Sequence, residues 1–481
     1  MPPSLLWFRR DLRLHDSPAL AAAAAGGAVI PVFVLDGVLR DRAGAPRLAF
    51  LYRTLRVLEE QTYGRLLILA GSPAEVLGRA AQASGATAVH ISADTGPYGR
   101  RRDASVQQAL ASRGVDLIRT GSPYAVTAGR VRGPSGAGYQ VFSPFYRAWQ
   151  RHGWPPPADS APAVEAMTDG GLDSVGIPDD PPLDGVRLPP AGEPAALAAW
   201  RAFRAEGLSA YAGRRNLTEP GATSGLSAYL KYGCIHPRTL LADADADARA
   251  EDAAGRAGVE SYRAELAWRE FYADVLWHTP QAAGTSLRPA LDALTAANGL
   301  HDEAHHEVHE AWSAWSRGRT GFPLVDAAMR HLGAEAWMPN RVRMVVASFL
   351  VKDLHLPWQW GARHFLRHLV DGDLASNNLS WQWVAGTGTD AAPYFRVFNP
   401  VRQGQQFDPA GDYVRRWVPE LRHVAGIAVH EPWTRPDGLS NGYPDRIIDH
   451  GEERAEALRR YAAVRSAELV TAEPVTPRAG Y

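Results

Sequence analysis

Five short apolar runs ahead of residue 120 constrain the fold of this chain more than any other feature. Ser4–Phe8, Val29–Leu35, residues 66–69, Ala88–Ile91 and residues 115–118 are apolar at mostly consecutive rather than alternating positions. Each therefore predicts a strand buried on both faces. Amphipathic stretches at 47–61 and 73–83 lie between them and predict helices. Strands alternating with helices predict a doubly wound, Rossmann-like α/β domain with a parallel sheet. No GxGxxG turn follows the first run, which argues against an ordinary dinucleotide site there.

Past residue 132 the composition changes. Residues 133–194 are rich in Pro, Gly and Asp, with WPPPADSAPA and IPDDPPLDGVRLPP as extremes. That marks a connector wrapping the surface, broken by one short helix at 142–151. From 195 to 461 the apolar spacing becomes helical, and 462–481 read as a loose tail. The expected organisation is an α/β domain over 1–132, a linker over 133–194 and an all-α domain over 195–461. A chain of 481 residues exceeds one ordinary core, which suits two domains.

Charge and cysteine usage narrow the setting. A net charge of −1 announces no general affinity for nucleic acid, so any DNA-binding face must be local. A single cysteine, Cys234, excludes an internal disulfide and fits a reducing cytoplasm. No apolar run has the length of a membrane span, and the arginines of MPPSLLWFRRDLRLHD follow its apolar residues, the wrong order for a signal peptide. Lys231 and Lys352 are the only lysines; the cationic charge is otherwise arginine.

Aromatic residues gather in the helical part, where eleven of the fifteen tryptophans lie beyond residue 260. The segment DGDLASNNLSWQWVAGTGTDAAPYFRVFNP, 371–400, sets Asp371 and Asp373 ahead of Asn377 and Asn378, with Trp381 and Trp383 following. Buried carboxylates and amides need partners and indole N–H groups need acceptors, so this material suits a site for a flat, polar-edged ring. Thr223, Ser224, Gly225, Leu226 and Ser227 precede an apolar run. Their hydroxyls and backbone N–H groups make either an ordinary helix cap or a phosphate cradle. In ELAWREFYADVLW, Glu265, Trp268, Arg269 and Tyr272 share a helix face. A Glu265–Arg269 pair alone is worth roughly a few tenths of a kcal/mol and leaves Trp268 unexplained. MPNRVRM opens another helix with Asn340, Arg341, Arg343 and Met344. His301, His305, His306 and His309 lack nearby cysteines and the HExxH spacing, so no metal site is expected.

Taken together, these segments resemble the photolyase/cryptochrome family from Leu6 to about His450. The resemblance implies an N-terminal antenna domain and a C-terminal helical FAD-binding domain. It assigns Tyr211, the 223–227 segment, Arg269, Asn340, Arg343, Asp371, Asp373 and Asn377 to the flavin, with Asn377 facing N5 and Arg343 paired with Asp371. Gly225 stands where relatives more often carry arginine, which weakens a phosphate contact or shifts it to Arg269. Glu265, Trp268, Asn340, Arg341, Met344 and Trp383 correspond to lesion contacts, and Arg215, Arg396 and Gln403 to further DNA contacts. Among these, Glu265, Trp268, Trp383 and Asn377 carry the catalytic roles. Trp381 and Trp358 match the first two members of the family's electron-transfer chain. The distal tryptophan is replaced by His305, leaving open whether Trp312 substitutes or photoreduction is slow.

WFRRDLRLHD and SADTGPYGRRRD resemble the family's antenna cleft, with Asp36, Arg47 and Asp94 as candidate contacts. The second segment is nearer to members binding 8-hydroxy-5-deazaflavin than to folate-binding ones. Arg100–Arg102, on the residues alone, read as a solvated helix face. The resemblance implies a class I, bacterial-type cyclobutane pyrimidine dimer photolyase. Such a protein is expected to be a monomer acting on UV-damaged DNA at the cytoplasmic nucleoid, without a membrane. A cryptochrome photoreceptor and a (6-4) photolyase are the near rivals; Asn377 and Met344 oppose them. A nicotinamide-dependent flavoprotein is the distant one, and no dinucleotide fingerprint supports it.

Overall fold

The computed structural model describes residues 2–249, 252–294, 304–389 and 396–471, excepting the side chains of 161–162, 304–306 and 467–471. Strands β1 (Ser4–Phe8), β2 (Val29–Leu35), β3 (Leu67–Ala70), β4 (Ala88–Ile91) and β5 (Asp116–Arg119) form one parallel sheet in the order β3-β2-β1-β4-β5. Side chains alternate across it as the strand period requires. Leu5, Trp7, Ile30, Val32 and Val34 pack with the helices Pro73–Ser84 and Pro97–Ala111. Leu6, Phe8, Val29, Phe33 and Leu35 face the opposite way, into a core shared with the helical domain. The expected strands are present, displaced by one residue at β3 and β5. Burial at β5 is not as expected: this strand is largely exposed, because it lies at the sheet edge with a strand neighbour on one side.

The connector is less separate than its composition implies. Val29 bonds to both Ala166 and Thr168, and Val175 bonds to Ile68, so the segment follows the sheet. Its helix, Phe142–His152, packs on the long helix Ala253–His278: Trp149 donates to Glu270 at 2.7 Å, buried. Glu270 also accepts from the backbone N–H groups of Ala125 and Val126, tying three chain segments at one carboxylate. The expected tail begins inside a helix, His450–Thr471, and residues 472–481 lie outside the described residues.

Two cores build the helical domain. One is continuous with the sheet and includes Tyr211, Tyr229, Tyr262, Leu266 and Phe271. The other contains Trp315, Phe322, Val346, Phe349, Trp358, Phe365 and Trp381. Among the described residues no helix is long and apolar enough to cross a membrane.

Candidate functional site

A cleft, open at its mouth, lies where these two cores meet and encloses about 1150 Å³ with the solvent at its mouth included. Three helices each turn one stripe into it, at the three-and-four spacing that places side chains on one helix face. Ala253–His278 supplies Tyr262, Glu265, Leu266 and Arg269. Asn340–Ser348 supplies Asn340, Arg343, Met344 and Ala347, and Leu374–Ala385 supplies Asn377, Ser380, Trp381 and Val384. Tyr211, Ser224, Ser227, Asp371 and Asp373 complete the polar wall.

The charges in this wall are paired. Arg343 grips Asp371 with two bonds, 3.1 and 2.9 Å, and donates its Nε to the Met338 carbonyl at 2.9 Å. This planar fork holds the buried carboxylate against a fixed guanidinium. Asp373 caps the Leu374–Ala385 helix by accepting from Ala375 and Ser376, both at 3.1 Å. Its other oxygen meets Arg10 at 2.6 Å, with the Lys231 amine 3.6 Å away. Burial pushes the Asp373 carboxyl up, but Arg10, Lys231 and Arg269 together outweigh it and hold the group well below the usual range. Glu265 is the opposite case: burial raises its carboxyl despite Arg215, which bonds to it, and Arg341.

Asn377 donates its amide nitrogen to Ala362 O at 3.0 Å and to Asn378 Oδ1 at 2.8 Å. Asn378 is held in turn by Ala283 O at 2.6 Å. With its donors committed, Asn377 has its carboxamide oxygen to offer as an acceptor. Ser224 and Ser227 line the cleft, whereas Thr223 and Gly225 line an adjoining depression beside Trp337, and Leu226 is buried. Gly225 has φ +65°, the left-handed region that favours glycine, which gives this position a local reason for lacking a side chain. Arg269 lines the cleft with part of its donor set already committed within the protein. Its terminal nitrogens donate to Pro123 O and Leu230 O at 2.9 and 3.0 Å, and its guanidinium lies 4.6 Å over Tyr124.

Comparison with known proteins gives two matches along the chain: a DNA photolyase domain over residues 4–163 and the FAD binding domain of DNA photolyase over 262–463. A deoxyribodipyrimidine photo-lyase of Streptomyces griseus is 40% identical over 473 residues, covering 95% of this chain and 99% of the relative. The chain belongs to the DNA photolyase family. Among solved structures, a bacterial class III photolyase from Agrobacterium tumefaciens matches with TM-score 0.85 and 34% identity, over 97% of this chain and 98% of the other. A Synechocystis cryptochrome matches with TM-score 0.80 and 25% identity, over 95% and 99%.

Within this photolyase fold, not every expected residue reaches the cleft. Trp268 is stacked face to face on Phe142, at 3.8 Å and 6°, and is not among the cleft's walls. Trp383 is half-buried against the second core and likewise outside the walls. Arg341 bonds to Asn216 at 2.9 Å and lies over Phe407, near Arg215 and Glu265. Arg396 is exposed, its carbonyl accepting from Lys352. Gln403, on the helix Pro400–Phe407, keeps a buried carboxamide oxygen without a partner. Trp358 is buried and donates to Ser286 at 2.9 Å. His301 lies outside the described residues; the backbone at His305 and His306 is helical, and His309 is exposed. No group of three or more metal-ligating side chains is assembled among the described residues. Arg10, Lys231, Tyr262 and Phe365 line or brace the cleft without having been expected.

A second cleft opens at the carboxyl ends of β1 and β2, beside the point where strand order reverses between β1 and β4, the usual ligand position in such sheets. Asp36, Arg47 and Asp94 all line it. Asp36 accepts from the Tyr98 hydroxyl at 2.5 Å, and Asp94 pairs with Arg102 at 3.1 Å. Arg102 is buried and sits 4.9 Å over Trp7, so the arginine triplet is not simply a solvated face. Arg47 Nε is buried without a partner beside this cleft.

Proposed function

We propose that this protein is a deoxyribodipyrimidine photolyase that repairs cyclobutane pyrimidine dimers in DNA under blue light. The observation that carries the reading is the single cleft where the Arg343–Asp371 fork, Asn377 and Glu265 converge. Its residues fit FAD: serine hydroxyls suit a pyrophosphate, and the committed Asn377 amide presents an acceptor to a ring N–H. When bound and reduced, the flavin supplies the light-driven electron that opens the cyclobutane ring and recovers it afterwards, without net redox change.

The protein's part is orientation and electrostatics. A dimer must leave the duplex stack to reach side chains that line a cleft inside the protein. Glu265, its carboxyl raised by burial, is suited to hydrogen-bond a base edge where charge develops. Asn340 and Met344 give that position a polar and an apolar contact. Trp268 and Trp383 act from behind these walls, supporting the lesion side. Arg215, Arg341, Arg396 and Gln403 are proposed to fix the DNA backbone, where contacts position without reading sequence.

The second cleft is proposed to hold an antenna chromophore of the 8-hydroxy-5-deazaflavin type, which the unpartnered Arg47 Nε and the aromatic Trp7 and Tyr98 suit. Class I is proposed on the E-L-x-W-R-E-F order and Met344, with class III as the competing branch. We place the enzyme as a monomer at the cytoplasmic nucleoid, in keeping with its one buried, unpaired cysteine. Repair of a thymine-dimer oligonucleotide and of a (6-4) oligonucleotide by the FAD-loaded enzyme tests the substrate; repair of only the second would overturn it.

A further inference from the structure

The electron path implied by resemblance, Trp381 to Trp358 to a third tryptophan, meets His305 at its outer end. Trp358 is enclosed, its N–H committed to Ser286, and among the described residues no aromatic ring stacks on it or meets it edge-on. A different string of indoles leaves the cleft. Trp381 lines it and lies 6.3 Å, centroid to centroid, from Trp315. Trp315 is stacked on Trp312 at 5.3 Å, and Trp312 meets Trp360 edge-on at 5.7 Å. At such spacings neighbouring rings are in contact or nearly so, and electron tunnelling falls steeply only as gaps widen.

Exposure along this string also has a direction. Trp381 and Trp315 are fully buried, whereas Trp312 and Trp360 are half-buried. An indole radical cation is costly in a dry core and cheaper where water reaches it, so a positive hole runs downhill from the cleft to the surface. His364 touches both Trp312 and Trp315, at 5.5 and 5.4 Å. Burial, aided by His368 and Arg367, pushes this imidazole down to about 3, so it sets no positive charge against the passing hole.

We propose that Trp381, Trp315, Trp312 and Trp360 form the working photoreduction path of this enzyme, with Trp312 and Trp360 as its solvent-side end. Per photon, Trp381 gives one electron to the excited oxidised flavin and is refilled by Trp315, Trp315 by Trp312, and Trp312 by Trp360. The Trp360 radical cation releases its indole proton to water. An external thiol then returns the electron and a proton; two turnovers convert two thiols to one disulfide. This inference rests on the flavin reading of the cleft.

Flash photolysis of the FAD-loaded protein, read as the absorbance of long-lived tryptophanyl radical, tests it alongside steady-light flavin reduction with dithiothreitol. Trp315→Phe and Trp312→Phe are expected to lower radical yield and reduction rate by an order of magnitude, while Trp358→Phe changes each by less than half. Retained yield in Trp315→Phe and Trp312→Phe with loss in Trp358→Phe would overturn the path. Should Trp315→Phe fail to fold, Trp312→Phe, at a half-buried position, decides alone. Protein that takes up no FAD on reconstitution would instead refute the reading of the cleft, and the path with it.

Discussion

Asp373 joins the two domains, and removing its charge gives the sharpest stability test. Asp373→Asn keeps a side chain able to cap Leu374–Ala385 but leaves Arg10 and Lys231 facing a neutral amide. Breaking a buried pair by removing one partner costs about 3–5 kcal/mol. Asp373 and Arg10 retain 12% and 23% side-chain exposure, so water offsets part of that, and the lower end, about 3 kcal/mol, is expected. Asp373→Ala removes the cap as well and should cost about 1 kcal/mol more. The carboxyl's folded pKa is depressed, so its contribution is present above its unfolded pKa and is lost as pH falls through the folded value. The gap between parent and Asp373→Asn should therefore narrow in acid. Urea denaturation followed by tryptophan fluorescence, at neutral pH and below pH of about 4, measures both. A midpoint shift equivalent to under about 0.5 kcal/mol at neutral pH would refute the reasoning, because that is the range of ordinary surface changes.

Other outcomes follow from the same wall. Asn377→Asp sets a carboxylate against two acceptors, Ala362 O and Asn378 Oδ1; we expect a loss of about 1–3 kcal/mol and faster reoxidation of reduced flavin in air. An unaltered reoxidation rate would remove Asn377 from the ring's N5. Glu265→Ala should lower the quantum yield of repair while flavin stays bound, and an unchanged yield would strip that carboxyl of its role. Lys231 is pushed down to about 7 by burial, then by Arg10, against an ordinary 10.5. The unfolded chain thus binds more protons between those values, so stability should rise with pH across that window. Denaturation midpoints of the parent and Lys231→Met at pH of about 7 and 9 check this; parallel curves would contradict it.

Much of this architecture was legible because its signals are local. Runs buried on both faces announce parallel strands without alternation, and β1, β2 and β4 lie where those runs lie. The Arg343–Asp371 pair was implied by family resemblance and appears as a two-bond fork. Contacts between distant segments carried no such signal. Arg10 reaches Asp373 across 363 positions, and nothing near either residue marks the partnership. Trp268 is stacked on Phe142, and although the sequence predicts a helix at 142–151, nothing near either residue marks their contact across the connector. Helical spacing extends as far as 461, and only the last turns of His450–Thr471 read as tail, because they are alanine-rich and lack the apolar stripe that separates helix from tail.

The central claim is tested most directly by blue-light repair of a defined thymine-dimer oligonucleotide with FAD bound and chemically reduced under anaerobic conditions, so that photoreduction cannot limit. The account predicts light-dependent return of intact thymines, with no product in the dark. No repair by enzyme carrying reduced FAD would contradict it and turn the reading toward a light sensor.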